Sequence, residues 1–385
     1  MSVTGGMTWT HFLGTRFDCT IGALTAIAET HLPALTAYLS DPVFVADVRK
    51  VDQALSVTEA SFLKVPFDLE HWEAVAAKKY PDGLPEPYSD DSTQWLFHGH
   101  PGQAETGTAL HIALGRLAGY RWPAENDPDM HLSAEAHAWI AKAANLPDAD
   151  DDGLLCLEAV AGEQPLANRL RAFLAAAFGE GWSDALERKL VADADLTLDK
   201  RAARDGSLEA WLRDRAFRQH CKLFHDRPFL WQVWDGTPDG FSAFVHYHRL
   251  DTATLSKLTY TLIGDWIGRM ANAGDERRVE RAKILQQKLT AILDGEAPLD
   301  IFVRWKPLEA QPIGWDPDLD DGVRLNIRPF IKAGVLRETP KIKWGIDRGK
   351  DVASAPWFPL DKGERNNDRH LTLAEKRAAR VRAGS

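Results

Sequence analysis

Residues 226–248 read DRPFLWQVWDGTPDGFSAFVHYH, and this run constrains the fold more than any other stretch of the chain. An apolar, aromatic segment (Phe229, Leu230, Trp231, Val233, Trp234) leads into a Gly/Pro/Asp turn from Asp235 to Gly240. After the turn, Phe241, Ala243, Val245 and Tyr247 recur at every second position. Such residues on both sides of a short turn predict an antiparallel hairpin. Trp231 and Trp234 lie three apart, so a strand sets them on opposite faces and at most one of them meets solvent.

Most of the rest reads as helix. Residues 1–60 form a helical N-terminal segment, broken by Pro33, whose irregular opening suggests the remnant of a longer protein. Residues 61–225 form a mostly helical domain with helices expected near 68–79, 110–120, 131–145, 165–178, 183–191 and 207–224. Asp68 is placed to accept a first-turn N–H as an N-cap, and the acidic run 148–152 reads as an exposed loop. Residues 226–330 form an α+β domain with the hairpin at 227–248 and a helical hairpin at 255–293. In its second helix Val279, Ala282, Leu285, Leu289 and Ile292 share a face, and Gly295 stands at the C-terminal cap. IFVRW, 301–305, reads as a strand. Residues 331–385 form an irregular basic tail with a terminal helix starting near Thr372. The fold class expected is thus α+β, predominantly helical, with a small antiparallel aromatic sheet and a helical hairpin.

Composition excludes some functions. No apolar run approaches the ~20 residues needed to cross a bilayer, and the N-terminus lacks a basic region followed by an apolar one. Cys19, Cys156 and Cys221 are odd in number and widely spaced, which fits a reducing cytoplasm better than a disulfide framework. The net charge of −10 is unevenly spread: residues 324–385 hold 15 Lys/Arg against 7 Asp/Glu, so a tail of +8 follows a body of −18. A basic tail suits a polyanion, and it equally suits solvation or docking on the acidic body.

Within that basic region DDGVRLNIRPF, 320–330, alternates Arg324, Asn326 and Arg328 with Leu325 and Ile327. As a strand it would align the three polar side chains on one face, where Arg suits guanine or phosphate and Asn suits adenine. The other reading is an edge strand whose arginines pair with the body. Lys341, Lys343, Trp344, Arg348 and Lys350 interleave cations with an aromatic, a pattern that suits a nucleic-acid backbone groove. Trp231, Trp234, Trp266 and Trp305 could stack bases, but at these spacings an indole ordinarily packs in the core. The pairs His98/His100 and His246/His248, and the group His220, Cys221 and His225, lack the second half of a zinc site. Cys221 has histidines nearby but no group to orient them as a base. No metal or catalytic residue is assigned.

Five blocks carry a resemblance. They are SFLKVPFDLEHW with YPDGLPEPYSDD (61–91), GRLAGYRWP (115–123), and RPFLWQVWDG to HYHRL with LTYTLIGDWI (227–267). DIFVRWKPLEAQPIGWDPDLDDGVRLNIRPF (300–330) and KIKWGIDRGKD to ERNNDRHLTLAEKRAAR (341–380) complete them. In this order the chain resembles the C-terminal portion of large adenine-specific DNA methyltransferases of bacterial restriction-modification and BREX- or DISARM-type phage-defence systems. The resemblance implies methyl transfer from S-adenosylmethionine to adenine N6 in double-stranded DNA, with the base flipped from the stack. This sequence holds neither an Asn/Asp-Pro-Pro-aromatic tetrapeptide nor a Gly-x-Gly turn after a strand; Gly179 and Gly181 follow a helix. The expectation is therefore a DNA-engaging, target-recognition and assembly part, truncated or split from a catalytic half that binds the cofactor. The chain itself then holds no cofactor and needs that half, or other defence subunits, as partner. The rival expectation is a protein-interaction scaffold, or an inert fragment, with no nucleic-acid role.

Overall fold

The computed structural model describes residues 9, 24–54, 57, 59–84, 99–130, 132, 134–198, 206–303, 306–342 and 371–384. The chain divides into two compact units, Met1–Asp90 with His131–Ser133, and Asp91–Met130 with Ala134–Ser385.

The first unit is helical. Helices α1 (Leu32–Leu39), α2 (Pro42–Val51) and α3 (Leu69–Lys79) bury Tyr38, Phe44, Val48 and Trp72 together. Pro33, expected to break a helix, stands in the first turn of α1, where its missing N–H costs nothing. Asp41 and Asp68 cap α2 and α3 by accepting the backbone N–H of Val43 and His71 at 2.9 and 3.0 Å.

The second unit contains the sheet. Its helices begin with α4 (Ala109–Leu117) and α5 (Ala134–Ala143), followed by strand β1 (Leu154–Cys156). Next come α6 (Leu166–Phe178), α7 (Asp184–Leu198), α8 (Leu208–Asp214) and α9 (Ala216–Leu223). The expected hairpin follows as β2 (Leu230–Trp234) and β3 (Ser242–His246), paired antiparallel with Trp231 opposite Val245. β1 joins the other edge of β3, which makes a three-stranded sheet in the order β1-β3-β2. Val335 and Arg337 bond to the free edge of β2 through Trp234 N–H and Gln232 C=O.

Both faces of β3 are buried, since Phe244 and His246 are covered as well as Ala243 and Val245. Helices lie on both sides, and one apolar core runs from Ala109 to Leu336, across position 225. Trp231 is wholly buried, whereas Trp234 is partly exposed beneath the Arg337 guanidinium, 4.0 Å from its ring. The turn is built by Asp235, whose carboxylate accepts from Thr237 N–H, Thr237 Oγ and Phe241 N–H. A Cβ on Gly240 would fall 2.1 Å from that carboxylate.

The helical hairpin consists of α10 (Thr252–Ser256), a π-helical run Lys257–Leu262, α11 (Ile263–Asn272) and α12 (Glu276–Asp294). Ala282, Leu285, Leu289 and Ile292 are buried, and Gly295 caps α12 at φ 70° in the left-handed region. The expected strand at 301–305 is not formed at Ile301–Val303; instead Gln311 acts as a strand partner, accepting from Val303 N–H and donating to Val303 C=O. Residues 304 and 305, Trp305 included, lie outside the described residues.

Helices α13 (Val323–Asn326) and α14 (Arg328–Ala333) occupy the stretch expected to be a strand. Helix α15 (Leu373–Gly384) ends the chain, opened by a capping box in which Thr372 and Glu375 bond each other's backbone N–H. About 58 % of the described residues are helical, and this small sheet accompanies them, so the chain is a predominantly helical α+β protein.

Candidate functional site

A pocket of about 670 Å³, open to solvent, lies in the second unit where three separate segments meet. Its walls are residues 119–121 with Asn126, residues 148–151, and His246, His248 and Arg249. Each segment is held by a specific bond.

The first wall follows α4. Gly119 takes φ +95°, a conformation that favours glycine, and a Cβ there would lie 2.3 Å from Arg249 Nη1, so a larger residue would displace that guanidinium. Buried Arg116 then fixes the turn behind it, with Nη1 donating to Glu125 (2.8 Å) and Nη2 to Ala143 C=O (2.7 Å). Glu125 in turn accepts from Trp122 N–H.

The second wall is the acidic run. It is not the freely exposed loop expected from its charge, because Asp150 is buried and organises it. One Asp150 oxygen accepts from Asp152 N–H and Gly153 N–H, and the other from Arg169 at 2.6 Å. Arg169 also binds Glu163, while Asp152 pairs with Lys257 of the π-helical run. Burial alone would raise both carboxyls. It does raise Asp152, with Asp150 beside it adding to the rise, whereas bonds from Asp152 and Arg169 hold Asp150 below the usual carboxylate range. Asp150, Asp151 and Asp152 place carboxylate oxygens within 4.8 Å of one another. Those of Asp150 and Asp152 are already engaged by the protein, so the cluster is accounted for without a metal ion.

The third wall is the end of β3. Arg249 donates to the carbonyls of Asp150 (2.8 Å) and Asp151 (2.5 Å), stitching this wall to the second. His246 Nδ1 lies 3.1 Å from Ala118 C=O, tying it to the first. Tyr120, Phe229, His246 and His248 form a group of rings, with Tyr120 stacked on Phe229 at 4.5 Å and Phe229 on His248 at 6.3 Å. Burial, then the charges of His248 and Arg249, pull His246 down to about 3, so the ring is neutral.

The residues singled out for DNA contact fare differently. Arg324, Asn326 and Arg328 do not line one face of a strand, because the stretch is helical. Gly322 at φ 86° starts α13 and Pro329 sits in the first turn of α14; both suit helix starts rather than a continuous strand. Asn326 is buried and donates to Tyr247 Oη and Asp318 C=O, both at 2.7 Å. Arg328 is buried and donates to Pro298 C=O at 3.2 Å. Arg324 is partly buried. Lys341 is exposed. Lys343, Trp344, Arg348 and Lys350 lie outside the described residues.

The other candidates from the sequence are structural. His220 is fully buried and its Nε2 accepts both Phe229 N–H (3.1 Å) and Leu230 N–H (3.0 Å), which joins α9 to β2. Burial lifts the Cys221 thiol well above its ordinary range, which disfavours the thiolate a nucleophile requires. The pocket as such escaped sequence reasoning: in sequence His246 and His248 read only as a metal pair, Arg249 as the end of a hairpin and residues 148–151 as an exposed loop. Neither a scan against protein-family models nor a search of curated proteins returned a match.

Proposed function

We propose that this chain is the DNA-engaging and assembly part of an adenine-specific DNA methyltransferase system of the restriction-modification or phage-defence kind. It acts in the cytoplasm beside a catalytic half that binds S-adenosylmethionine and transfers the methyl group to adenine N6. One observation carries the reading: blocks of the resemblance that are far apart in sequence bind each other directly. Gly119 of the second block makes room for Arg249 of the third. Tyr247 and Leu250 of the third accept from Asn326 and Trp315 of the fourth, at 2.7 and 3.0 Å. Trp231, Trp315 and Phe330 meet as one aromatic cluster. Contacts among the second, third and fourth blocks are what supports the reading.

With Asn326 and Arg328 buried, the proposed phosphate contacts fall to exposed cations further on. Lys341 is exposed, and so is Arg377 on α15, whereas Arg380 donates to Gln311 C=O at 2.8 Å. Neutralising phosphates releases counterions, so affinity for a short duplex should fall roughly tenfold or more between 50 and 200 mM salt. Reversing Lys341, Lys343 and Arg377 to Glu should remove that dependence, measured by fluorescence anisotropy. Adenine methylation should appear only when a catalytic methyltransferase is added.

The scaffold reading has its own support in the charge of −18 on the first 323 residues, which repels phosphate. Salt-independent or absent binding, with no effect on methylation, would decide for it.

A further inference from the structure

The C-terminal helix α15 is docked by polar contacts more than by apolar ones. Its 12 residues bury only Lys376 and Ala379, whereas α12 buries Ala282, Leu285, Leu289 and Ile292. A helix this short is marginal in water by itself, so its contacts decide whether it stays. Lys376 Nζ donates to Ile301 C=O and lies 3.9 Å from Asp300, and Arg380 donates to Gln311 C=O at 2.8 Å. Four residues apart, these two cations share the inner face of the helix. Leu371, just before α15, adds a buried apolar side chain.

Such docking sits close to balance. Among the described residues Asp300 Oδ2 has no hydrogen-bond partner. Burial raises Asp300 to about 6 against the pull of Lys376 and Arg328, and it lowers Lys376 to about 8 against the pull of Asp300. Taking two charges out of water costs about what their attraction returns, so the pair adds little to stability.

Docking also withholds what the helix could offer elsewhere. The stretch LAEKRAARVRAG holds Lys376, Arg377, Arg380 and Arg382 against Glu375 alone. Two of those cations, Lys376 and Arg380, are turned onto backbone carbonyls. An undocked helix would present both to a polyanion, where each phosphate contact releases counterions.

We propose that α15 is a detachable arm whose inner face, Lys376 with Arg380, is a second phosphate-binding surface: docking on Asp300, Ile301 and Gln311 closes it, and duplex DNA competes with that docking for the helix. The inference rests on the DNA-engaging reading above and adds its regulation.

The test is hydrogen exchange on the full chain at low salt, with and without a short duplex. Saturating duplex should speed exchange across residues 299–303 several-fold as the helix leaves, with α12 unchanged as the control. Asp300→Ala keeps every cation of α15 but leaves Lys376 buried without its partner. In that variant protection across 371–384 should fall, and duplex affinity measured by fluorescence anisotropy should rise several-fold. Bound duplex with unchanged exchange at 299–303, protection at 371–384 that survives Asp300→Ala, or its loss without tighter binding each overturns the inference. If the variant does not fold, exchange in the unaltered chain decides alone. Salt-sensitive duplex binding that leaves 299–303 unmoved disproves the detachable arm only, whereas no duplex binding by either protein removes the DNA-engaging reading with it.

Discussion

Gly119 shows how much of the pocket depends on single residues. Its φ of +95° is unfavourable for any other side chain, and the space where a Cβ would go is filled by the Arg249 guanidinium. Gly119→Ala should therefore lower stability by about 1–3 kcal/mol from backbone strain alone, read by urea denaturation, and it should also release Arg249 from the carbonyls of Asp150 and Asp151. The buried histidines make a second prediction. Burial lowers His111 and His246 to about 3 and holds His220 well below its ordinary value, against about 6.5 in an unfolded chain. Below that pH the unfolded state takes up protons that the folded state refuses. Their contribution is complete above pH 6.5 and is lost as pH falls towards 3, at about 1.4 kcal/mol per histidine for each pH unit. Denaturation midpoints measured from pH 7 to pH 4 should drop steeply, and a flat profile would contradict the burial of these rings. None of this was legible in the sequence, where the histidines were notable only for their pairs and Gly119 only as part of a block. A glycine required by an arginine 130 positions later leaves no local mark.

Elements were legible where their signals are local. The turn of the β2–β3 hairpin, the caps at Asp68 and Gly295 and the start of the terminal helix near Thr372 all follow from short-range chemistry, and the structure has them. The DDGVRLNIRPF stretch misled because five alternating residues fit period two, while Gly322 and Pro329 set helix starts and packing buried the polar positions too. Asp235→Ala tests the hairpin turn: it strips a buried acceptor from the N–H groups of Thr237 and Phe241, costing about 1–3 kcal/mol for each donor left unpaired. The terminal helix offers a sharper contrast. Lys376 is fully buried, donates to Ile301 C=O and faces buried Asp300 at 3.9 Å, so this part of the basic tail is docked rather than solvated. Lys376→Ala leaves a carboxyl buried without its partner and should destabilise the docking by about 3–5 kcal/mol. Replacing both residues, as Lys376→Met with Asp300→Leu, should restore most of it; hydrogen exchange across 371–384 would read both variants.

At the scale of the whole molecule the fold class could be read from periodicity, because long apolar stripes and one aromatic hairpin admit few arrangements. The pocket could not, since its walls come from residues near 120, 150 and 247 and converge only on folding. The one hint was that GRLAGYRWP and HYHRL each join glycine, arginine or histidine to aromatics, residue types that build polar sites more often than cores. No helix among the described residues is long and apolar enough to cross a membrane. The charge split between acidic body and basic tail stands at the centre of the functional account, because on the proposed reading it would set the affinity for a polyanion. Duplex binding measured from 50 to 200 mM salt, with the Lys341/Lys343/Arg377 reversal alongside, tests it most directly. The account predicts binding that weakens roughly tenfold or more across that range and disappears in the variant; binding that ignores salt, or is unchanged by the reversal, would contradict it.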